Sequence, residues 1–319
     1  MHLSREHLIR ALWTLFEPVH AVSYFAPQAR AAFADIGLPR YWDGYFAGRA
    51  APLGRIGGAP VTAIFSGFAP ALVERALPAV WATVTPAQAL EARSVGAAAS
   101  LRALAADAGV IEASVALAAD ALAPIALGIT TIGRPLAAAN RTLAAEPDPA
   151  NPDPFRRLWQ AATTLREHRG DGHVIALVAG DIAGLTTIVL RASLDLDAAA
   201  VQQSRGWTAE EWDAEVCSLV RRGLLESPGG GGAEKPASRI SPAGRTALDA
   251  AERLTNILAV GPWADLDDDR LREIARTLEP IALACGAAFP YPNPIGMPRP
   301  WDATADPEAT TVPGGPRSE

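Results

Sequence analysis

Three of the five histidines in this 319-residue chain fall in two short segments that also carry carboxylates. In the first segment, EPVHAVSY, helical spacing places Glu17, His20 and Tyr24 on one face of a helix. A Glu-x-x-His pair on one helix can offer a carboxylate and an imidazole to a single metal ion, as it does in di-iron helix bundles. The first segment therefore predicts one half of a ligand set that mixes nitrogen and oxygen atoms.

The second segment, LREHRGDGH at residues 165–173, brings together the same kinds of side chain. We predict that a helix ends near His168 and that a Gly-Asp-Gly turn then presents Asp171 and redirects the chain to His173. The two arginines of the segment are suited to hold a carboxylate of an organic ligand. Nine residues are therefore expected to contact a small molecule: Glu17, His20, Tyr24, Arg166, Glu167, His168, Arg169, Asp171 and His173.

These side chains fit more than one kind of site. A divalent metal such as zinc or iron would take its ligands from Glu17, His20, His168 and His173. The group also suits acid and base chemistry on an organic ligand, and a single histidine suits haem. Purely structural roles stay open as well, with an ion pair for Glu17 and a satisfied interior position for His20. The sequence therefore names neither a cofactor nor a reaction, and it leaves open whether the protein is an enzyme.

A shared site requires the two segments to meet, and a marked boundary lies between them. The stretch EPDPANPDP, residues 146–154, has four prolines in nine residues and so has no helical option. The expected division is a helical domain at 1–145, this Pro-rich linker, a second domain at 155–288 and an extended, partly disordered tail at 289–319. We expect the ligand site to lie between the two domains.

Helical periodicity dominates the first 225 residues. Hydrophobic residues make up 49% of the chain, with Ala and Leu prominent among them, which favours a helical globular protein. Alternation of polar and apolar residues long enough for a sheet does not occur in this part of the sequence. A short echo between Arg10–Trp13 and Arg157–Trp159 leaves open whether the first domain is a divergent copy of the second.

The segment GWTAEEWDAEVCSLVRRGLLE, residues 206–226, has the outline of a DNA-reading helix. A turn at Gly206 precedes the N-cap Thr208, and the helix ends at an Arg-Arg-Gly-Leu-Leu run. A Gly-rich loop, a short strand near 238–240 and a helix that begins at Ser241 follow in the sequence. Two small strands around such a loop predict a β wing.

Over about residues 155–260, this order of elements resembles the winged helix-turn-helix of MarR-type regulators, in particular through RRGLL and SPAGR. The whole chain is similar to an actinobacterial family described as helix-turn-helix-like, through FEPVHAVSYFAP, GYFAGRAAPLG, LREHRGDGH and FPYPNPIGMP. The resemblance implies a mainly α fold of two helical domains, of which the second is a MarR-like winged helix with a small β wing. It also implies a homodimer, and it assigns no particular activity.

The charge of this segment argues against DNA reading. The front half of the helix, which in a helix-turn-helix enters the major groove between walls of phosphate, carries four carboxylates and no basic residue. A formal charge of −7 and a pI near 5.3 leave no overall field that would attract DNA. Phosphate contacts would have to come from a few basic residues near the helix ends and on the wing: Arg205, Arg221, Arg222, Lys235 and Arg239.

We therefore predict a protein that binds a small molecule or a metal on a winged-helix scaffold that has lost DNA binding. The alternative is a MarR-like DNA-binding transcriptional regulator with an N-terminal sensor domain, and a third class is an interaction scaffold without a site. No export signal is visible, and the most apolar window, Ala113–Ile132, is interrupted by Asp120 and Pro124. We expect a cytoplasmic protein without a membrane partner.

Overall fold

The computed structural model describes residues 5–145, 153–226 and 238–301. Within these ranges, fourteen α-helices and one two-stranded sheet make up the regular structure, so the prediction of a mainly α fold is confirmed. The helices are α1 (Arg5–Phe25), α2 (Pro27–Asp35), α3 (Tyr41–Ala50), α4 (Gly58–Ile64), α5 (Pro70–Glu74), α6 (Pro86–Asp107), α7 (Glu112–Leu127), α8 (Pro135–Ala145), α9 (Pro154–Ala179), α10 (Leu185–Ala192), α11 (Ala198–Arg205), α12 (Ala209–Arg221), α13 (Pro242–Ala259) and α14 (Asp268–Ala287), and the strands are β1 (Leu225–Glu226) and β2 (Arg239–Ile240).

The longest helix, α9, is the centre of the molecule and packs against α1, α6, α7, α8 and α13. It begins at Pro154 with Asp153 as N-cap, whose carboxylate accepts a hydrogen bond from the Phe155 amide. The helix then continues for 26 residues to Ala179. Because it places residues of the second predicted segment on several faces, α9 decides which elements each candidate side chain can reach.

The predicted turn in the RGDG run is wrong, since α9 passes through it without interruption. The glycines serve close packing instead. A Cβ at Gly172 would lie 2.7 Å from the Arg134 guanidinium and 3.3 Å from the side chain of Leu258. The sequence suggests two helices, one before and one after this run. They are a single helix, in which glycine allows neighbouring side chains to pack closely.

The largest hydrophobic core draws on residues from both sides of the Pro-rich segment. Leu12 of α1, Leu122 of α7, Trp159 of α9 and Leu278 of α14 are all almost completely buried in it. The division into two domains stays a prediction, and most of the Pro-rich segment lies outside the described residues. The described halves nevertheless share one core, so a site between them has rigid walls.

The chain after α14 has no helix or strand up to the last described residue, and it packs on the core. Phe289 and Met297 are buried there, and Asn293 forms two hydrogen bonds with the backbone of Met297. The Trp301 amide donates to Thr14 Oγ1 of α1 at 2.9 Å. The disorder predicted for the rest of the tail concerns residues outside the described part of the chain.

A second core lies among α2 to α6 and contains a cluster of aromatic rings. Its most deeply buried members include Phe46, Val61 and Val73. This core supports α3, whose last turn carries Arg49 toward α9. The rings that contact one another in this cluster are Tyr41, Trp42, Tyr45, Phe46 and Phe68.

The elements α10 to α13 form a third, smaller core around Leu190, Leu219 and Leu225. Strands β1 and β2 pair antiparallel, with Leu225 opposite Ile240. The predicted pair of small strands is thus present, while the wing tip and Lys235 lie outside the described residues. No helix in the described ranges combines the length and apolar composition required to span a bilayer.

Candidate functional site

The helix-turn-helix unit is built by local sequence signals. Gly206 ends α11 in the left-handed conformation, with a φ of 76°. Thr208 then caps α12, and Glu211 completes a capping box by accepting hydrogen bonds from the Thr208 amide and hydroxyl at 2.9 Å. One of the four carboxylates at the front of α12 therefore has a local structural role. A second, Glu215, accepts a hydrogen bond from the Thr186 hydroxyl.

The outward face of α12 is acidic over its first two turns. Its exposed residues follow the helical spacing of a single stripe, and the inward face packs on the third core through Leu219. In a DNA complex this stripe would face the major groove. From the front of the helix to its end the stripe consists of Glu210, Asp213, Ala214, Cys217 and Arg221.

Four of the five basic residues predicted to contact DNA lie in the described ranges, and two of these four are engaged by other parts of the protein. Arg221, Arg222 and Arg239 are exposed, but Arg222 donates to the carbonyl and the carboxylate of Asp181. Arg205 is partly buried and donates to the Pro294 carbonyl at 2.9 Å. The described part of the chain therefore presents few exposed arginines that could contact phosphates.

The turn before α12 is held against the segment between α4 and α5. Ala69 donates its amide to the Arg205 carbonyl at 2.9 Å, and the Trp207 indole donates to the Gly67 carbonyl at 3.1 Å. The Arg205 guanidinium lies 4.4 Å from the centre of the Phe68 ring, close enough for a cation–π interaction. These contacts fix the helix-turn-helix unit to the first half of the chain.

Residues from both predicted segments meet in a buried ionic cluster between α1, α3 and α9. Arg49 donates to both oxygens of Glu167, at 2.8 and 3.0 Å. Arg166 donates to Glu167 at 3.0 Å and to Glu17 at 3.2 Å. The Trp13 indole completes the coordination of Glu17 at 3.0 Å. Two guanidinium groups thus balance two carboxylates, and the cluster has no net charge.

Aromatic rings surround the Arg49 guanidinium. It lies 4.0 Å from the centre of the Phe65 ring and donates to the Tyr45 hydroxyl at 3.2 Å. Its Nε has no hydrogen-bond partner among the described residues. The rings compensate part of this loss through cation–π attraction. These contacts therefore fix the Arg49 side chain in the position from which it binds Glu167.

His20 is a satisfied interior histidine. Its Nδ1 lies 2.9 Å from Thr163 Oγ1 and its Nε2 lies 2.6 Å from the Tyr24 hydroxyl, so neither ring nitrogen is open to a metal. The Trp159 indole donates to the His20 carbonyl at 3.2 Å. Burial, assisted by the charge of Arg166, holds the pKa of His20 well below its usual range.

The charges in the cluster support one another. Burial alone would raise the pKa of Glu167, but Arg49 and Arg166 outweigh it and lower that pKa to about 2. Burial likewise acts to lower the pKa of both arginines, and the facing carboxylates raise it instead. At neutral pH Glu167, Arg49 and Arg166 are ionised and His20 is neutral. The cluster is thus a closed polar network in the interior.

A cleft opens on another side of α9, between α1, α13 and the turn that follows α13. It is narrow, and the space inside it that a water molecule can occupy is about 10 Å³, room for about one water. His168 and Arg169, both among the predicted ligand-binding residues, line it. The other walls that matter for its chemistry are Ile9, Arg10, Trp13 and Asn256.

An ionic bridge joins two of the arginines that line the cleft. Glu252 of α13 accepts hydrogen bonds on one carboxylate oxygen from both Arg10 and Arg169. The two guanidinium groups lie over the Trp13 ring, at 5.3 and 4.4 Å from its centre. Arg169 is nearly buried, whereas about a quarter of the Arg10 side chain is exposed. Of these two arginines, Arg10 therefore has the greater freedom to move.

Two buried polar atoms in the cleft lack a partner among the described residues: His168 Nε2 and Asn256 Oδ1. His168 is 1% exposed, and burial together with the charge of Arg134 lowers its pKa to about 4. Its imidazole is therefore neutral at neutral pH. Buried polar groups without partners are uncommon in native proteins and require an explanation, such as a ligand or an ordered water.

The last two predicted residues line neither the cluster nor the cleft. Asp171 accepts a hydrogen bond from the Ala137 amide at 2.9 Å, and burial raises its pKa to about 6. His173 Nδ1 lies 2.9 Å from Thr255 Oγ1 of α13, and burial lowers its pKa to about 4. Both side chains tie α9 to neighbouring helices.

The four residues predicted as metal ligands are not brought together. Glu17 and His20 belong to the ionic cluster, His168 lines the cleft, and His173 contacts Thr255. Among the described residues, no group of three or more His, Cys, Asp or Glu side chains is placed to hold a metal ion. The physical reason is the continuous helix, which turns by about 100° per residue and spreads the second segment over several faces.

Sequence reasoning missed four residues that decide the geometry: Arg10, Arg49, Glu252 and Asn256. Arg49 lies in the aromatic-rich run GYFAGRAAPLG, and its partner Glu167 is 118 residues away. Nothing in the local spacing indicates that pairing. An amide in the last turn of an amphipathic helix was an available signal for Asn256.

The geometry of α10 to α13, with a left-handed glycine between α11 and α12 and a short antiparallel pair before α13, is that of a helix-turn-helix scaffold. The sequence profile of a helix-turn-helix family matches residues 9–292, and the chain belongs to that family. Searches of curated proteins and of solved structures gave no significant match. The MarR-type assignment and the actinobacterial origin stay predictions.

Proposed function

We propose that this protein binds a small molecule in the cleft between α1, α9 and α13, on a helix-turn-helix scaffold that does not read DNA. The observation that carries the proposal is the pair of unpartnered atoms, His168 Nε2 and Asn256 Oδ1, on the walls of one cleft. Each buried polar atom without a partner costs about 1–3 kcal/mol, which a bound molecule recovers.

The ionic cluster supports this assignment by contrast. Apart from Arg49 Nε, the polar atoms of its carboxylates, its arginines and His20 have partners within the protein, so a ligand there would have to displace strong charge-assisted hydrogen bonds. The cleft, in comparison, offers free hydrogen-bonding capacity beside aromatic and aliphatic walls, a common composition of small-molecule sites.

The charge of α12 supports the second half of the proposal. Specific DNA binding gains much of its affinity when Lys and Arg displace counterions from phosphates, and Glu210 and Asp213 on the outward stripe act in the opposite sense. Arg205, which would otherwise contribute, is engaged with Phe68 and the Pro294 carbonyl.

The small-molecule function is tested by thermal denaturation of the full chain against a chemically diverse library. Binders are then confirmed by calorimetry. Expected are compounds that raise the melting temperature of wild type and that lose this effect in Asn256→Leu. A library without a single binder would contradict the proposal.

The absence of DNA reading is tested by fluorescence anisotropy with mixed genomic fragments at low salt. Wild type should not bind above the level of an acidic control protein. The variant Glu210→Lys/Asp213→Lys should gain salt-dependent binding, because it places two cations where the groove would lie. Glu91→Lys/Asp120→Lys changes two exposed acids elsewhere and matches the charge difference.

A DNA-binding regulator remains the second candidate, because the chain belongs to a helix-turn-helix family and presents Arg221, Arg222 and Arg239 on its surface. Under this alternative wild type binds specific fragments tightly, and reversal of these three arginines to Glu abolishes binding. That result would overturn the proposal that the scaffold has lost its DNA-reading role.

A further inference from the structure

The most apolar window of the sequence folds as α7, whose only charged residues are Glu112 and Asp120. One side of this helix packs in the main core, where Val115 and Leu122 are almost completely buried. On the other side Leu117 is 64% exposed. A helix with apolar residues on every side is typically buried on every side, whereas the described residues leave one side of α7 in contact with solvent. That side is therefore a candidate interaction surface.

Beyond its first residue, the exposed positions of α7 lie along one stripe, because they recur at the spacing of three and four residues that marks a single helix face. Four of the five members are apolar, and the fifth is an acid at the midpoint. The stripe begins with a small side chain and ends with a large one. In chain order, the α7 stripe consists of Ala113, Leu117, Asp120, Pro124 and Leu127.

This order makes the α7 stripe complementary to itself when a second copy of the helix packs on it in the opposite direction. A twofold axis at Asp120 places Leu127 of one copy opposite Ala113 of the other. In the same arrangement Leu117 lies opposite Ala123, a partly exposed residue at the edge of the stripe. Each leucine therefore meets an alanine, and a patch that matches itself in this way is what a closed twofold dimer requires.

The acid at the centre of the stripe is compatible with burial in such a pair, because a cation accompanies it. Arg157 of α9 donates to Asp120 at 2.8 Å, and 36% of the arginine side chain is exposed. Among the described residues this is the only hydrogen bond of that guanidinium group, which has five N–H donors. Each Arg157 can therefore also donate to the carboxylate of the second copy, so that two guanidinium groups balance two carboxylates at the axis.

We propose that the α7 stripe is the contact surface of a symmetric dimer, in which α7 of one copy packs antiparallel on α7 of the other about an axis at Asp120. Each helix is about 24 Å long, and one such pair buries less than the roughly 800 Å² per partner of a standard interface. We therefore expect a dissociation constant on the order of 10 μM. No residue of α7 lines the cleft, so this dimer does not depend on the proposed small-molecule function.

Sedimentation equilibrium on the full chain tests the surface. Wild type should change from monomer to dimer as its concentration rises. Leu117→Lys should raise the dissociation constant at least about tenfold, because it places a charge in the apolar contact. Ile257→Lys is the matched control, since Ile257 on α13 is 61% exposed, close to the value for Leu117, and it should leave the equilibrium unchanged. A wild type that is monomeric at every concentration, or equal effects of the two substitutions, would overturn the proposal.

Disulfide cross-linking tests the twofold axis. In a Cys217→Ser background the remaining cysteine, Cys285, is buried, so Asp120→Cys introduces a single accessible thiol. Cα atoms on the facing sides of two packed helices approach within the range that a disulfide spans, and the bond traps the dimer even where loss of the carboxylate weakens it. Oxidised Asp120→Cys should therefore migrate as a covalent dimer on a non-reducing gel.

The control for cross-linking is Asp249→Cys in the same background, which removes the same charge from an exposed position on α13 and should stay monomeric. Equal cross-linking of the two variants would show random collision and overturn the axis. A dimer in sedimentation without a cross-link at position 120 would overturn the antiparallel arrangement.

Discussion

Helix α9 carries charged and imidazole side chains on two sides, and their surroundings differ. Toward α1 and α3, Glu167 is bonded by Arg49 and Arg166, and His20 has a partner on each ring nitrogen. Toward the cleft, which His168 and Asn256 both line, His168 Nε2 and Asn256 Oδ1 have no partner among the described residues. The same residue types therefore form a network on one side that is closed except for Arg49 Nε, and an open one on the other.

This difference separates structure from function within one helix. A fully paired network stabilises a particular arrangement, because removal of any member leaves another charge buried without a partner. An incompletely paired site lowers the stability of the folded protein, and such sites are often kept because they bind a ligand. Substitutions on the two sides should therefore change stability in opposite directions.

The largest effect is expected for Glu167→Gln. It leaves Arg49 and Arg166 buried beside a neutral amide and should lower the free energy of unfolding by about 3–5 kcal/mol. Urea denaturation at neutral pH measures the change. Glu91→Gln, in an exposed pair with Arg156, is the control and should cost less than about 1 kcal/mol. Similar losses in the two variants would contradict the description of a closed network.

Acid should destabilise the protein between pH 6.5 and 4. His168 and His173 stay neutral in the folded state down to a pKa of about 4, while the unfolded chain takes up their protons near 6.5. Stability is therefore lost as the pH falls through this window. His20, whose pKa burial also lowers, adds to the loss, and Asp171, with its pKa raised to about 6, acts in the opposite sense, so a net loss of at least about 3 kcal/mol is expected.

The opposing contribution can be removed. Asp171→Asn abolishes the one carboxyl group whose protonation favours the folded state in this window, and the acid loss should become steeper. Urea denaturation of both proteins at several pH values gives the slopes. An unchanged slope in the variant would show that Asp171 does not titrate in that range.

The packing around Arg49 continues to the turn before α12 through contacts of Phe68 with Tyr45 and Arg205. Two glycines, one in that turn and one outside it, test whether the turn is tightly packed. A Cβ at Gly206 would lie 2.8 Å from the Leu72 side chain, whereas a Cβ at Gly223 would meet nothing within 4 Å. Both glycines have a positive φ, so alanine costs about 1–2 kcal/mol at either position. Gly206→Ala should cost about 1–2 kcal/mol more, by thermal or urea denaturation. Equal costs would mean that the turn is not packed against Leu72.

The smallest effect is expected on the open side and has the opposite sign. Asn256→Leu removes a buried oxygen without a partner and should raise the free energy of unfolding by about 1 kcal/mol. The same variant is expected to lose ligand binding. A destabilised Asn256→Leu protein would show that the amide is satisfied in the folded protein, and the contrast between the two sides of α9 would fail.

Local sequence signals account for much of the fold. The N-caps Thr85 and Thr208, the prolines at helix starts and the helical periodicity predict the elements, because these features act within one turn of the chain. The RGDG run misled for the same reason: taken locally, Gly170 and Gly172 indicate a turn. Only the approach of Arg134 from another helix explains why glycine is required within α9.

The site was harder to predict, because its decisive pairings are long-range. The spacing of Glu17 and His20 correctly suggests a common helical face, but their long-range partners, on α9, are 149 and 143 residues away in sequence. An ion pair such as Arg49 with Glu167 depends on tertiary packing that no local pattern encodes. The free atoms of the cleft are harder still, since the absence of a partner becomes visible only when all neighbours are placed.

The hydrogen bonds that join the turn before α12 to Gly67 and Ala69 bear on how the protein can be dissected. A fragment that begins at α9 would leave the Trp207 indole and the Arg205 carbonyl without these partners, and the Trp301 amide would lose Thr14. It would also expose the half of the main core that α1 normally covers. We therefore expect that the helix-turn-helix unit of this chain does not fold independently, and its activity should be measured in the full-length protein.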